Sequence, residues 1–188
     1  MNPREPASGP RRTGGGKRGT RLDPITTAEN LPPDARAALD RIVQSRGEVT
    51  RPFQLLLHAP ALAERVAELG HLVRFGSSLT DHDRELVTLA TGRALGCAFV
   101  WESHLDAAAA AGVPAETIEM LEQGPASLES RERVLVSFVD ELCGTGAVSE
   151  GTFGAVRELL EPPEIVELAT TVGYYTMLAY VMGACDAC

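Results

Sequence analysis

Residues that typically start a helix alternate with residues that typically end one along the chain from residue 33 onwards. This alternation constrains the fold more than any other feature of the sequence. Between the signals, apolar residues recur at helical spacing, as Leu62, Val66 and Leu69 do. Prolines stand where helices begin, glycines stand where they end, and residues 107–111 are five consecutive alanines, the strongest helix former. Long alternating runs of β-branched residues, typical of strands, are absent. The sequence therefore predicts an all-α fold.

The first 30 residues differ in composition from the rest of the chain. The first 21 of them are rich in Gly, Pro and Arg with almost no apolar residues, so this segment cannot bury enough surface to become ordered. They also lack the apolar stretch of a secretory signal. We therefore predict a disordered tail over residues 1–30 and one helical domain over residues 31–188, which is long enough to bury a core.

Charge, hydrophobicity and cysteine content limit the partners and the cellular location that we expect for this protein. The formal net charge of -9 argues against a nucleic-acid partner, because binding to phosphates needs a basic surface. No apolar run approaches the roughly 20 residues that cross a bilayer, so we expect no membrane partner. Four cysteines without the spacing of a secreted disulfide framework indicate a reducing, cytoplasmic location.

The segment ALGCAFVWESHLD, residues 94–106, places a thiol and an imidazole close together in the sequence. We predict that it forms one continuous helix, on which Cys97 and His104 are seven residues apart. That spacing puts them within about 20° of each other around the helix axis and roughly 10 Å apart along it. The gap is too long for a direct hydrogen bond and suits a small molecule between the two side chains, with Trp101 as a wall of the site.

Several interpretations compete for these side chains. We predict no metal site, because the histidines and cysteines do not form the close pairs that zinc uses. A redox thiol at Cys97 needs a partner thiol, and position 100, where one is usual, is Val. The C-x-x-C of Cys185 and Cys188 is either a redox pair or two thiols that follow the last helix. Cys97 is otherwise a small buried apolar residue, and His104 a partly buried structural histidine.

A set of short motifs is similar to those of a known family. In order along the chain these are LLHAP, FGSSL, an acidic residue in DRELV, and W-x-x-H followed by an Ala-rich turn. Together they make residues 50–182 resemble the carboxymuconolactone decarboxylase family. The likeness is closer to the branch of 4-carboxymuconolactone decarboxylase and more distant to alkyl hydroperoxidase D. It implies a helical bundle like that of alkyl hydroperoxidase D, assembled into homotrimers or homohexamers with active sites near the subunit contacts.

The resemblance to the peroxidase branch implies roles for single residues. Glu85 takes the place of that branch's charge-relay glutamate, Cys97 the place of its first cysteine, and His104 the place of its histidine. Val100 stands where the branch has its second, peroxide-attacking cysteine. This departure argues against peroxidase activity by the mechanism of the family.

The resemblance to the decarboxylase branch implies a different reaction. Phe99, Trp101 and His104 match the pattern of that branch, although Val100 departs from an acidic position. We therefore expect a cofactor-independent lyase that decarboxylates a small carboxylated lactone or a similar oxygenated ring. A decarboxylase of this kind must protonate an enolate, and His104 as general acid with Glu85 as its orienting partner suits that step.

Binding of the substrate carboxylate calls for a cation, because a guanidinium binds that group through two hydrogen bonds. Arg51 and Arg74 are the first candidates, and Arg93 is a third with no better claim. His58, in the LLHAP motif, either lines the pocket or has a structural role at the end of a helix.

Two alternative functions stay open at the level of the sequence. The first is a thiol-dependent peroxidase or disulfide reductase that uses Cys97 together with Cys185 or Cys188. The second is a non-catalytic, oligomeric helical protein whose pocket binds a ligand without turnover.

Overall fold

The computed structural model describes residues 20–29, 31–185 and 187–188, and within these ranges it contains helices and no strand. The helices are α1 (Pro33–Arg46), α2 (Arg51–Leu56), α3 (Pro60–His71), α4 (Asp81–Ala94), α5 (Ala98–Ala110), α6 (Ala115–Gln123), α7 (Ser130–Thr145), α8 (Glu150–Arg157) and α9 (Pro162–Ala184). A π-helical turn (Leu72–Gly76) follows α3, and a short 3-10 turn (Pro125–Ser127) follows α6. The predicted all-α fold is confirmed.

The helices α4 and α5 form a hairpin, and the prediction of one continuous helix over residues 94–106 is wrong. The α4 helix ends at Ala94, and Gly96 adopts a left-handed backbone with φ of 61°, which glycine accepts without steric cost. Cys97 is the N-cap of α5. The two helices then run side by side so closely that a Cβ on Gly92 would lie 3.0 Å from the backbone nitrogen of Trp101.

Two apolar clusters make up the core, and α9 contributes to both. The first cluster joins α1, α2 and α3 to the start of α5 and the C-terminal half of α9. The second joins α4, α6, α7 and α8 to the N-terminal half of α9. The α4–α5 hairpin thus lies where the two clusters meet, and its side chains can reach a space that α9 closes from the other side.

Among the described residues, α9 alone is long and apolar enough to cross a membrane by length and composition. The expectation that no apolar run approaches this length was therefore wrong. The reason lies in packing: Leu168 and Val172 are buried in one core cluster, and Leu178 and Met182 are buried in the other. A helix that contributes to two clusters is apolar over most of its circumference.

The predicted tail lies partly outside the described residues, which omit residues 1–19 and 30. Residues 20–29 run without helix along the domain and are hydrogen-bonded to it. The Arg21 nitrogen donates to the Cys185 oxygen at 2.9 Å, and the Ile25 nitrogen donates to the Gln54 oxygen at 3.0 Å. This part of the predicted tail is therefore attached to α2 and to the end of α9.

A buried ion pair joins α4 to α7, and we expect it to stabilise the fold. Asp83 is 2% exposed and accepts hydrogen bonds from Arg131 Nη2 at 2.6 Å and Nε at 3.3 Å. Burial alone would raise the pKa of Asp83, but the hydrogen bonds and charge of Arg131 outweigh it, so the pKa is lowered. We expect Asp83→Asn to reduce the free energy of unfolding by about 1 to 3 kcal/mol, since Arg131 stays half exposed.

The lowered pKa of Asp83 also predicts how this contribution depends on pH. The stability is fully present above the ordinary carboxyl pKa of 3.8, and it is lost as the pH falls below that value through the lowered folded-state pKa. Urea unfolding at pH 7 and at pH 3 measures the effect. The difference between wild type and Asp83→Asn is expected to shrink at pH 3, and an equal difference at both values would contradict the assignment.

Candidate active site

A histidine and a glutamate from the two arms of the hairpin form a hydrogen-bonded pair. His104 Nδ1 lies 2.8 Å from Glu85 Oε2, and the two side chains are 15% and 6% exposed. A carboxylate can only accept, so His104 donates through Nδ1–H, and in the neutral imidazole this leaves Nε2 without a proton. The pair is therefore arranged to take up or release a proton at Nε2.

Glu85 is held in its ionised form. Its second oxygen, Oε1, lies 3.3 Å from Arg84 Nη2 and 3.4 Å from Arg84 Nε. Burial would raise the pKa of this carboxyl, but the hydrogen bond and charge of His104, together with those of Arg84, lower it below its ordinary value. A charged Glu85 stabilises the imidazolium form of His104 whenever the ring carries two protons.

Tyr175 of α9 packs its ring against His104. The ring centroids are 4.9 Å apart at an interplanar angle of 86°, an edge-to-face contact. Burial, followed by the negative charge of Glu85, raises the pKa of this phenol. Tyr175 therefore stays neutral and fixes the orientation of the imidazole ring. Tyr175 was not predicted from the sequence, where its one signal is the tyrosine pair, Tyr174 and Tyr175, in a segment that is otherwise largely aliphatic.

His104 and Tyr175 open onto a cavity of about 190 Å³ between α2, the π-helical turn, α5 and α9. Apolar side chains form much of its wall, including Phe53, Phe99 and Met182. Pockets for drug-sized ligands measure about 300–1,000 Å³. This cavity therefore suits a small molecule, and Phe99 lies on its wall.

Arg74 brings a positive charge to the same cavity. It lies in the π-helical turn Leu72–Gly76, a distortion that is frequent at functional sites. Its guanidinium carbon lies 4.9 Å from the ring centroid of Phe75, and its charge lowers the pKa of Tyr175 against the stronger effect of burial. Of the three arginines considered from sequence, Arg74 lies on the cavity wall. Arg51 begins α2 outside that wall, and Arg93 forms an ion pair with Asp140.

Two further residues predicted to contact the substrate lie elsewhere. Trp101 lines a separate cleft of about 250 Å³ with Arg93 and Cys97, because α5 begins anew at Ala98 and turns Trp101 towards Gly92. His58 is exposed in the turn after α2, and its Nε2 lies 2.8 Å from the Asp23 oxygen. In the part of the chain that the structure describes, no group of three or more His, Cys, Asp or Glu side chains could hold a metal ion.

Cys97 is bonded to the C-terminal residue. A disulfide joins it to Cys188 across 91 positions, with the Cα atoms 5.1 Å apart. Cys97 is 1% exposed and does not line the His104 cavity, although it packs in the same apolar cluster as Val100 and Tyr175. Cys185 is a free thiol, so the C-x-x-C is not closed on itself in this state.

The model of the carboxymuconolactone decarboxylase family matches residues 60–139, which confirms the resemblance. The matched segment contains Arg74, Glu85, Cys97 and His104. No curated protein matches the sequence at a significant level.

Solved structures similar to this chain include peroxidase-related proteins and a debrominase. One is described as an alkylhydroperoxidase AhpD core, an uncharacterized peroxidase-related protein from Ralstonia eutropha JMP134. It has 18% identity and a TM-score of 0.74, covering 92% of this chain and 93% of that chain. An uncharacterized peroxidase-related protein from Silicibacter sp. TM1040 has 18% identity and a TM-score of 0.72, covering 93% of this chain and 94% of that chain.

The debrominase Bmp8 has 14% identity and a TM-score of 0.69, covering 92% of each chain. A variant of Bmp8 with a cysteine replaced by alanine is solved in complex with 2,3,4-tribromopyrrole. These likenesses show that the chain has the AhpD-like fold. The assembly into homotrimers or homohexamers and the cytoplasmic location stay predictions.

Proposed function

From the match of residues 60–139 to the carboxymuconolactone decarboxylase family, we propose that this protein is a cofactor-independent proton-transfer enzyme of the lyase type. Its substrate is a small carboxylated lactone or a similar oxygenated ring. The observation that carries this proposal is the 2.8 Å hydrogen bond between His104 and Glu85 on the edge of a small, largely apolar cavity. The same cavity holds a cation, Arg74, for a carboxylate or an oxyanion.

The reaction proceeds in two steps. The carbon–carboxylate bond breaks, its electron pair moves into the conjugated carbonyl of the substrate, and CO₂ leaves. The resulting enolate then takes a proton at carbon from His104 Nε2, and solvent returns the proton to the imidazole. Glu85 stabilises the imidazolium before the transfer. Proton transfer by a side chain positioned in this way typically accelerates a reaction by about 10²- to 10⁴-fold.

The apolar wall and the buried charges serve the same reaction. A carboxylate that enters the cavity loses water, and its localised charge spreads into the conjugated enolate as CO₂ leaves, so an apolar environment favours this step. The developing enolate oxygen needs a preorganised partner, and a fixed cation in a site of low dielectric stabilises it strongly. Arg74 can serve in this way because the π-helical turn and Phe75 hold its guanidinium at the cavity wall.

We expect Arg74→Ala to weaken binding of a carboxylated substrate. Hydrogen bonds to charged groups contribute about 1.5–3 kcal/mol, which corresponds to a rise in KM of roughly 10- to 100-fold. Steady-state kinetics with one substrate measure the change, with Arg51→Ala as the matched control because Arg51 lies outside the cavity wall. An unchanged KM in Arg74→Ala, or an equal loss in both variants, would contradict this role.

The proposed function is tested with a panel of small carboxylated lactones and open-chain carboxylates. Purified protein is incubated with each compound in D₂O, and NMR follows loss of the carboxylate and entry of deuterium at the same carbon. At least one compound is expected to lose CO₂ and gain deuterium there. If wild type leaves every compound in the panel without either change, the substrate class proposed here is wrong.

One observation favours a second candidate function, that of a thiol-dependent peroxidase or disulfide reductase. The disulfide between Cys97 and Cys188 provides the second thiol that Val100 does not. In this reaction Cys97 thiolate attacks the peroxide, giving an alcohol and a sulfenic acid, and Cys188 then displaces water to form the disulfide. An external dithiol reduces it again. The burial of Cys97 outside the His104 cavity makes this the second choice.

Consumption of a peroxide with dithiothreitol as the reductant tests the second candidate. Wild type is expected to consume an organic hydroperoxide under this reading, and Cys97→Ser is expected to lose the activity. Consumption that persists in Cys97→Ser would reject Cys97 as the attacking thiol.

A further inference from the structure

We propose that Cys97, Cys185 and Cys188 form a thiol–disulfide exchange relay, in which the bond between Cys97 and Cys188 passes to Cys185 and Cys188. The proposal deepens the second candidate function and rests on its thiol chemistry. Cys97 lies in the first apolar cluster, Cys185 packs against it, and Cys188 is bonded to Cys97. The remaining cysteine, Cys143, packs against the second cluster and takes no part.

Cys185 and Cys188 both lie close to the last turns of α9. The nitrogens of Cys185 and Ala187 both donate to the Met182 oxygen, at 3.0 and 2.9 Å. Cys188 Sγ reaches the Ala179 oxygen at 3.9 Å, so the last residues lie back along the helix. The two cysteines have the C-x-x-C spacing of dithiol oxidoreductases, in which the two thiols close a disulfide.

Exposure and position decide which sulfur is attacked and which one leaves. Cys97 is 1% exposed, whereas Cys188 is exposed, so an incoming thiolate reaches the Cys188 sulfur. Cys97 is the N-cap of α5, a helix of 13 residues. Attack at the Cys188 sulfur releases Cys97 at the N-terminus of α5, where the helix dipole offsets part of the cost of a buried negative charge. The fold therefore favours release of Cys97 over release of Cys188.

The exchange balances without an outside reactant. The Cys185 thiolate attacks Cys188 Sγ, the bond between Cys97 and Cys188 breaks, and Cys97 leaves as a thiolate that takes a proton from solvent. The disulfide count stays the same, and no net oxidation occurs. A small dithiol or a protein of the dithiol reductase class then supplies two electrons and two protons to the Cys185–Cys188 bond.

In the relay, Cys185 and Cys188 form an outer pair that exchanges with a partner, and Cys97 is an inner thiol. Cys185 is half-buried and Cys188 is exposed, so a partner dithiol can reach a bond between them. Cys97 is freed three residues before Val100, which lines the His104 cavity. The outer pair can therefore be reduced by a bulky partner that has no access to the buried inner thiol.

Disulfide mapping tests the relay. Oxidised full-length protein is titrated with dithiothreitol, quenched with acid, alkylated and digested, and mass spectrometry reports which cysteines carry the label. Wild type is expected to pass through a species with labelled Cys97 and an unlabelled, bonded Cys185–Cys188 pair. In Cys185→Ser, release of Cys97 is expected to slow by at least about tenfold, because the intramolecular thiol is missing. Cys143→Ser is the matched control and should behave as wild type.

A second variant keeps the test decisive. Cys97→Ser is expected to form the Cys185–Cys188 bond on oxidation, which shows directly that these two sulfurs can meet. Absence of that bond in both wild type and Cys97→Ser, or release of Cys97 from Cys185→Ser at the wild-type rate, would overturn the relay. The mapping needs no peroxide, so its result is independent of the peroxidase assay. Exchange without peroxide consumption would reject the second candidate function alone. Peroxide consumption without exchange would reject the relay alone.

Discussion

The His104→Ala variant is expected to lose turnover of the decarboxylation substrate by about 10² to 10⁴-fold, the usual contribution of a positioned proton donor. The reason is geometric. His104 Nδ1 is committed to Glu85 at 2.8 Å, and the ring lies on the wall of the small cavity, so Nε2 is the atom that can exchange a proton with a bound substrate. Alanine removes that atom, and Glu85 on the far side of the ring cannot replace it.

Variants of Glu85 show whether the two side chains act as one unit. Glu85→Gln keeps an oxygen that accepts from His104 Nδ1 but removes the charge that stabilises the imidazolium. We therefore expect turnover to fall by roughly 10- to 100-fold. The double variant should be little worse than His104→Ala alone, because groups that act together are not additive. His58→Ala is the matched control, since that imidazole contacts the Asp23 oxygen outside the cavity. Equal losses in His58→Ala and His104→Ala would show that both act through folding.

Loss of the disulfide between Cys97 and Cys188 is expected to have a large effect on the stability of the fold. Loss of the disulfide in Cys188→Ser is expected to lower the free energy of unfolding by about 3 to 5 kcal/mol, because the bond closes a long loop and restricts the unfolded chain. The bonded residues are 91 positions apart, so most of the domain lies inside this loop. Denaturant unfolding without reductant measures the difference. A phosphine reductant should bring wild type to a similar stability.

The control for this stability measurement is another cysteine outside the disulfide. Cys143 is a half-buried free thiol on α7, and its replacement by serine is expected to change the stability by less than about 1 kcal/mol. If Cys188→Ser and Cys143→Ser unfold at the same denaturant concentration as wild type, the long-range bond does not form in solution.

Much of the fold was predictable because its helices are marked locally. Prolines at helix starts, glycines at helix ends and apolar spacing all act within a few residues, so the all-α fold follows from the sequence alone. The break before α5 was harder to predict. Gly96 can sit inside a helix at a modest cost or end it with a positive φ, and only packing against the rest of the domain decides between the two.

The site was only partly predictable for the same reason. The contact between Glu85 and His104 joins two neighbouring helices and was expected from the family resemblance. The restart of α5 at Ala98 changes which residues face the cavity, so Val100 lines it and Trp101 does not. Tyr175 and Cys188 come from the far end of the chain, and no local pattern predicts which residues they contact.

Deuterium in the product shows whether His104 delivers the proton to carbon. Wild type, His104→Ala and Glu85→Gln are incubated in D₂O with the carboxylated compound that wild type converts, and NMR measures CO₂ loss and deuterium at the carbon that bore the carboxylate. We predict that wild type places one deuterium there, that Glu85→Gln does so more slowly, and that His104→Ala is inactive on the same timescale. Deuterium entry in His104→Ala at the wild-type rate would show that another group delivers the proton.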